Sequence, residues 1–316
     1  MISYGVEEKT RSMIRVAGVQ IAPVFLNAQA TWEKLKVLIE EAASEGVDLV
    51  TWGETLLPGY PVWLSPAGGA RFNDDDQKIA YATYWREAID LSDSDIVRDM
   101  KSIASDYKIA LMGGIAERGG SSIYCTLLTI GQDGTILGRH RKVKPTYEER
   151  LVWADGDGKG LKTYPIKDMR VGGLNCWENW LPLARASLHL QGEMLHIAVW
   201  PGNERNTRDI TRFIALEGRS WVISVSGMLR PADFSHLTPE EFPMKDVMES
   251  ATNSWMNGGS TIVNPKGEVV VEPLVDEEGI IYAEVDPMMV IQERQNLDIS
   301  GHYSRFDIFN KPIDET

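Results

Sequence analysis

Cysteine is scarce in this chain: Cys125 and Cys176 are the only two in 316 residues. Two thiols cannot build a disulfide framework at this length, so reduced cysteines in a cytoplasmic protein are the expectation. Histidine is scarce as well, with five residues scattered at 140, 189, 196, 236 and 302. Without an HExxH or a paired CxxC, neither a structural nor a catalytic zinc site is expected. Positive charge is outweighed, 32 Lys and Arg against 46 Asp and Glu, for a formal net charge of −14. Such a surface repels a phosphate backbone, which argues against a nucleic-acid partner. No apolar run reaches the ~18 to 20 residues of a membrane span. The first residues, MISYGVEEKTRSMIR, lack the apolar core of a secretory signal, so no membrane partner is expected. There is no GxSxG for a serine-hydrolase elbow and no GxGxxG after a strand for a dinucleotide. DGKGLKT resembles a phosphate loop by composition only, because the GK[ST] ending is missing.

What is present alternates. Residues 1–13 are polar and read as a flexible tail, and 14–316 as a single domain. IRVAGVQIAPV is an apolar strand, TWEKLKVLIEEAASEG has helical spacing, and VDLVTWGE is a second strand that ends at Glu54. Leu56 to Asp76 is rich in Pro, Gly and Asp and reads as a long loop, with helical patterns over about 77–90 and 94–107. IALMGGIAER is a strand, and SSIYCTLLTIGQDGTILGRHRKV is a hairpin turning at Asp133-Gly134. KDMRVGGLNC is a strand ending at Cys176, with a helix in NWLPLARASLHLQGE after it. MLHIAVWPG, a helix through RDITRFIALEGRS, WVISVSGM, a hairpin at STIVNPKGEVVVEP and the strand GIIYAEVD complete the pattern. Helices alternating with apolar strands, with hairpins inserted, predict a layered α/β fold.

Ligands of open α/β sheets bind beyond the carboxyl ends of the strands. Glu54 and Cys176 stand at such ends, and Lys142 closes the second strand of a hairpin. A free thiol, with a pKa of ~8.5, is only slightly ionised at neutral pH. A helix start after Cys176, a base in Glu54 and a cation in Lys142 are the features that would raise its thiolate fraction. Each residue alone has a plain structural reading: a core cysteine, a solvated glutamate, a lysine in the basic run RHRKVK.

With their flanking words, these residues resemble the nitrilase family of the carbon–nitrogen hydrolase superfamily. The words are TWGETLLPGYP around Glu54, HRKVKPTYEER around Lys142 and GGLNCWENW around Cys176, with HIAVWPG and LDISGHYSR downstream in the family's order. The resemblance spans nearly the whole chain. It implies a four-layer αββα sandwich in which Glu54 is the general base, Lys142 the cationic partner and Cys176 the nucleophile. Glu149 matches a second glutamate that positions substrate and lysine, with Glu148 beside it. Lys144, two residues from Lys142, would share its face on a continuing strand. The CWE form after GLN resembles true nitrilases more than the amidase branches. Candidate substrate contacts are Tyr60 and Trp63 in and beside the PGYP loop, Trp177 after the cysteine, and Trp200 and Asn203 in the WPG loop, although tryptophan is more often core or interface than pocket; the resemblance adds His302 in GHYSR, though a lone histidine has an equal structural reading. Cys125 reads as inert packing.

The implied activity is hydrolysis of an organic nitrile to the acid and ammonia through thioimidate and thioester intermediates, with no metal or organic cofactor. An amidase or carbamoylase, a cyanide-degrading enzyme and a non-catalytic scaffold are the competing readings. The resemblance also implies a homodimer or a larger, spiral homo-oligomer, with about 287–316 at a subunit interface. The chain departs from the family at Gly53 and Thr55, where Pro and Ala are usual around the glutamate, and at Phe306, where proline is usual after GHYSR. The long C-terminal tail of many nitrilases is missing, which bears on filament formation and not on the chemistry.

Overall fold

The computed structural model describes residues 13–249 and 256–309. Nearly all of the expected tail, and the last part of the expected interface segment, lie outside the described residues. The strands in chain order are β1 (Ile14–Gln20), β2 (Leu49–Leu57), β3 (Ala110–Gly119), β4 (Ser122–Ile130), β5 (Ile136–Arg141), β6 (Tyr164–Ile166) and β7 (Met169–Asn175). Then come β8 (Leu195–Trp200), β9 (Trp221–Ser226), β10 (Met228–Leu229), β11 (Met256–Val263), β12 (Val269–Val275) and β13 (Gly279–Val285). The helices are α1 (Ala28–Ser44), α2 (Asp75–Glu87), α3 (Asp95–Tyr107), α4 (Pro182–His189), α5 (Glu204–Gly218), α6 (Lys245–Glu249), α7 (Pro287–Arg294) and α8 (Phe306–Phe309).

Two sheets result. One runs β13-β1-β2-β3-β4-β5, and the other β10-β11-β9-β8-β7-β6 with β12 added beside β11. In the first, β1, β2 and β3 are parallel, and in the second β7, β8 and β9 are parallel. Those central strands are buried on both faces, which is why they read as continuous apolar runs with no polar alternation. Alternate side chains of one strand therefore serve two cores. On β2, Leu49 joins the layer between the sheets with Val16, Met112, Ile197 and Val225, whereas Val50 faces Trp32, Leu35 and Ile103 of α1 and α3. On the far side, Ile210 and Ile214 of α5 pack on Ala198 and Val222, and Leu188 of α4 packs on Leu174. The layers are thus helix, sheet, sheet, helix, as the resemblance implied.

Local signals place the helices. Asn27, Ser94 and Asn203 accept N-terminal N–H groups of α1, α3 and α5. Two expectations need correction. The strand expected to end at Glu54 continues to Leu57 through a bulge, and the helix expected directly after Cys176 is a single 3-10 turn, Cys176–Trp180, with α4 starting afresh at Pro182. Proline suits the first turn of a helix but not its interior, so Pro182 divides the segment.

Candidate active site

A bulge, a left-handed residue, a strand end and a 3-10 turn bring the chemistry together. In β2 the pairing with β3 jumps from Trp52↔Gly113 to Leu57↔Ile115, so the residues between bulge out of register and carry Glu54 with them. Thr55, next in line, has φ +43°. Gly114 makes room for the bulge, since a Cβ there would stand 2.4 Å from the Thr55 nitrogen and 2.5 Å from the Glu54 Cα. Cys176 itself has φ +47°, the left-handed region, at the step from β7 into its turn. Such strain in a non-glycine residue persists only where its surroundings enforce it. Lys142 follows directly on β5, and Glu149 lies in the 3-10 turn Tyr147–Leu151.

The side chains converge. Lys142 Nζ is 3.0 Å from Glu54 Oε1 and 2.7 Å from Glu149 Oε2, and all three residues are buried. One carboxylate oxygen of each glutamate and the Cys176 sulfur lie within 4.8 Å of one another. Three such ligand atoms are a set that a cation could use, but the Lys142 ammonium already bridges the two carboxylates and supplies the charge that a metal would. Glu149 is fixed on both oxygens: Oε1 accepts from the Tyr60 hydroxyl at 2.9 Å, and Oε2 also accepts the Thr146 N–H at 2.6 Å.

Burial sets the proton affinities. Desolvation, with Glu149 adding repulsion, pushes Glu54 up to about 7 even though Lys142 pulls the other way. Burial also opposes the Lys142 ammonium, but Glu54, Cys176 and Glu149 outweigh it and hold the amine above the usual lysine range. The Cys176 thiol is raised well above its ordinary value, first by burial and then by Glu54. No preformed thiolate is therefore favoured, contrary to the expectation from a helix start after Cys176. A single 3-10 turn offers little dipole, and the carboxylates beside the sulfur repel a second negative charge. Ionising the thiol would therefore need a proton acceptor close by, and a Glu54 carboxylate oxygen lies within 4.8 Å of the sulfur.

A cavity of about 300 Å³ opens onto Cys176, with Tyr60, Tyr147, Trp177 and Met256 in its walls and Asn203 and Asn206 on its polar side.

A carbon–nitrogen hydrolase family model matches residues 15–295. The chain is 35% identical over 300 residues to "Nitrilase 2" from an unknown prokaryotic organism, covering 94% of this chain and 91% of the relative. It is 34% identical to an aliphatic nitrilase of Rhodococcus rhodochrous, covering 94% and 81%. The chain belongs to the carbon–nitrogen hydrolase family. The fold agrees: the crystal structure of a carbon–nitrogen hydrolase from Helicobacter pylori superposes with a TM-score of 0.70 at 21% identity, covering 95% of this chain and 98% of that one.

In this carbon–nitrogen hydrolase, three residues expected at the substrate lie elsewhere. Trp63 is buried in an aromatic cluster, 5.3 Å from Tyr84 and 5.3 Å from Phe242, and does not reach the cavity wall. Trp200 is wholly buried under α5 and donates its ring N–H to Ser224 Oγ at 2.8 Å. Both are large apolar groups that the core takes up. His302 is exposed in a turn, 3.8 Å from Asp298, with its ring tilted 57° to that of Tyr303. Tyr60, Trp177 and Asn203 do line the cavity, although the Asn203 side-chain oxygen Oδ1 is committed to capping α5 through the Arg205 N–H at 3.0 Å. Lys144 does not share the face of Lys142, because β5 ends at Arg141; it lies at the surface, paired with Asp155 at 2.7 Å.

Several supporting residues escaped the sequence reading. Buried Glu178 bonds His140 Nε2 at 2.7 Å, the Val143 N–H at 2.9 Å and the Asn175 N–H at 3.2 Å, tying the lysine segment to the cysteine turn. Although burial works against its charge, His140 and those two N–H groups keep Glu178 below the usual carboxylate range. Asn179 Nδ2 donates to the Cys176 carbonyl at 2.9 Å and the Leu174 carbonyl at 3.2 Å, and its Oδ1 meets His196 Nε2 at 2.8 Å. His196 Nδ1 in turn meets Glu193 at 2.9 Å. Cys125, read as inert packing, directs its thiol to Glu54 Oε1 at 3.2 Å. The spacings T-x-x-E at 146–149 and N-x-x-E at 175–178 were a usable signal, since each glutamate returns to the backbone N–H three residues before it.

Proposed function

We propose that this carbon–nitrogen hydrolase is a nitrilase that converts an organic nitrile and two waters to the carboxylic acid and ammonia. The arrangement of Lys142 between Glu54 and Glu149, with the Cys176 sulfur alongside, carries the reading. The nitrilases among its relatives, at 34–35% identity, support the choice of nitrile as substrate. Glu54, with a pKa near 7, takes the thiol proton as Cys176 attacks the nitrile carbon, and that proton passes on to the nitrogen, giving a thioimidate and returning Glu54 to its carboxylate form. Lys142 and the Trp177 backbone N–H face the nitrogen as charge grows there. In other enzymes one such donor contributes about 3 kcal/mol. A water, deprotonated by Glu54, adds to the thioimidate carbon, and C–N cleavage with protonation releases ammonia and leaves a thioester. A second water cleaves the thioester, and the acid leaves with the thiol restored. Glu149, fixed by Tyr60 and Thr146, holds the ammonium in place through both steps.

The test is a panel of an aliphatic nitrile, an arylacetonitrile and cyanide, with acid, amide and ammonia quantified. Acid and stoichiometric ammonia from an organic nitrile support the reading. Turnover of carboxamides alone would reassign the enzyme as an amidase, and cyanide alone would make it a cyanide-degrading enzyme. The reading extends to a homodimer formed through the α4 and α5 face, supported by exposed apolar side chains there at Trp180, Leu181, Leu183, Leu190 and Phe213.

A further inference from the structure

Cys125 lies in the middle of β4 with no exposure to solvent. Buried cysteines usually act as small hydrophobes, and part of Cys125's surroundings fits that role, since Ala116, Ile123 and Trp153 share its cluster. Its sulfur, however, is 3.2 Å from Glu54 Oε1, the same oxygen that accepts from Lys142 Nζ at 3.0 Å. The other oxygen, Glu54 Oε2, is buried and has no hydrogen-bond partner among the described residues. The two oxygens of the base are thus unlike: one is held by two donors, and the other is a free acceptor. The Cys125 backbone joins in, because its carbonyl accepts the Lys142 N–H at 2.8 Å. One residue therefore touches the base by its side chain and the lysine by its main chain.

We propose that Cys125 is a positioning residue for the general base: its S–H donation, paired with that of Lys142, locks Oε1 in place and leaves Oε2 as the atom that exchanges protons with thiol and water. This rests on the reading of Glu54 as the base. For the donation to operate Cys125 must stay a thiol. Burial and the nearby Glu54 hold its pKa well above the ordinary value, so it does. A donor to a carboxylate favours the charged form, so Cys125 also opposes the upward push that burial gives Glu54. The other titratable groups facing Glu54 are Lys142 after β5, Glu149 in its 3-10 turn, Cys176 after β7, and more distantly Tyr60 and Tyr84 of α2. A variant at 125 leaves all of them in place, so a changed titration of Glu54 reports on the lost donor.

The experiment measures kcat/KM against pH for the nitrile that the wild type turns over best, in Cys125→Ala, Cys125→Val and Cys125→Ser. Ala and Val both lack the donor, and Val keeps the site filled if the space left by Ala impairs folding. Ser keeps an O–H in place of the S–H. In whichever of Ala and Val folds, the acid limb is expected to move up by about half a unit to one unit. At pH 6 that is a fall of about three- to tenfold relative to the wild type, with a smaller loss on the plateau. Serine should return the limb close to its original position. A packing role alone would lower the rate at every pH without moving the limb. A limb that coincides with the wild type in Ala or Val, or a serine variant shifted as far as they are, would overturn the inference. Glu54→Gln separates the two levels: if it is inactive while the Cys125 variants leave the limb unmoved, only the role of Cys125 fails. If Glu54→Gln keeps substantial turnover, the base assignment itself fails.

Discussion

Lys142 holds its ammonium within 3.0 Å of one carboxylate and 2.7 Å of another with none of its side chain exposed. A buried charge in such a group depends on its partners, so removing the lysine leaves two carboxylates facing each other. Lys142→Ala should lose at least about 100-fold in kcat, the scale expected for removing one transition-state donor. Lys144→Ala, at the surface beside Asp155, should retain measurable activity, and steady-state ammonia release compares the two. The proposed base, Glu54, would set the pH dependence. Glu54 must be ionised to accept a proton, and its pKa is about 7. kcat/KM should therefore fall about tenfold per unit as pH drops below that value, and a limb near the ordinary glutamate range of ~4.3 would show that burial does not govern it. At this scale the sequence was legible wherever chemistry constrains residue type: Glu54, Lys142, Glu149 and Cys176 were all named from their flanking words. It read Cys125 as inert packing and gave Glu178 no contact, because a buried hydrogen bond between residues 71 or 38 positions apart leaves no local pattern.

At the scale of elements, the site is built where strands stop being regular. Alternation and apolar runs marked the central strands, but periodicity carries no information about a bulge, so β2 was ended too early. The large tryptophans show the same limit, since an aromatic residue near a motif is as readily core as pocket, and Trp63 and Trp200 became core. The cysteine turn is held from behind by a buried polar chain. Asn179 holds the Cys176 carbonyl, His196 holds Asn179, and Glu193 meets both His196 and His189. Arg185 and Glu217 close the chain at 2.5 Å between α4 and α5. Asn179→Ala should lower kcat more than it raises KM, because it frees the strained turn without touching the cavity wall.

The chain also makes stability depend on pH. Burial lowers the His189 pKa, but Glu193 and Glu217 outweigh it and raise the group from 6.5 to about 9. Its stabilisation is fully present below pH 6.5 and is lost as pH rises through about 9. Thermal melts should show Tm falling over that window, and His189→Gln should flatten the fall. An unchanged slope in the variant would assign the loss to other groups.

At the scale of the molecule, two sheets face each other, and the site lies at the bulge of β2 and the ends of β5 and β7. Glu54 and Lys142 come from one sheet and Cys176 from the other, so the site exists only when both halves are packed. The layered α/β class and most element positions were legible from apolar periodicity. The facing of the two sheets was not, because strands buried on both sides do not say which neighbour covers which face; that came from the resemblance. Among the described residues, no helix is long and apolar enough to cross a membrane. The apolar face of α4, where Leu183 is 81% exposed, belongs to the proposed dimer contact. Leu183→Glu should shift the mass seen by light scattering toward the monomer, and an unaltered mass would move the contact elsewhere.

The central claim is that Cys176 attacks the nitrile carbon with Glu54 as base. The most direct measurement is intact-protein and peptide mass spectrometry after rapid acid quench of the enzyme during turnover of a nitrile. The expected result is an adduct of the substrate's acyl or imidoyl mass on the peptide carrying Cys176, absent in Cys176→Ala, which should keep the wild-type fold and release no ammonia. Ammonia release that persists in Cys176→Ala, or an adduct found on Cys125 instead, would contradict it.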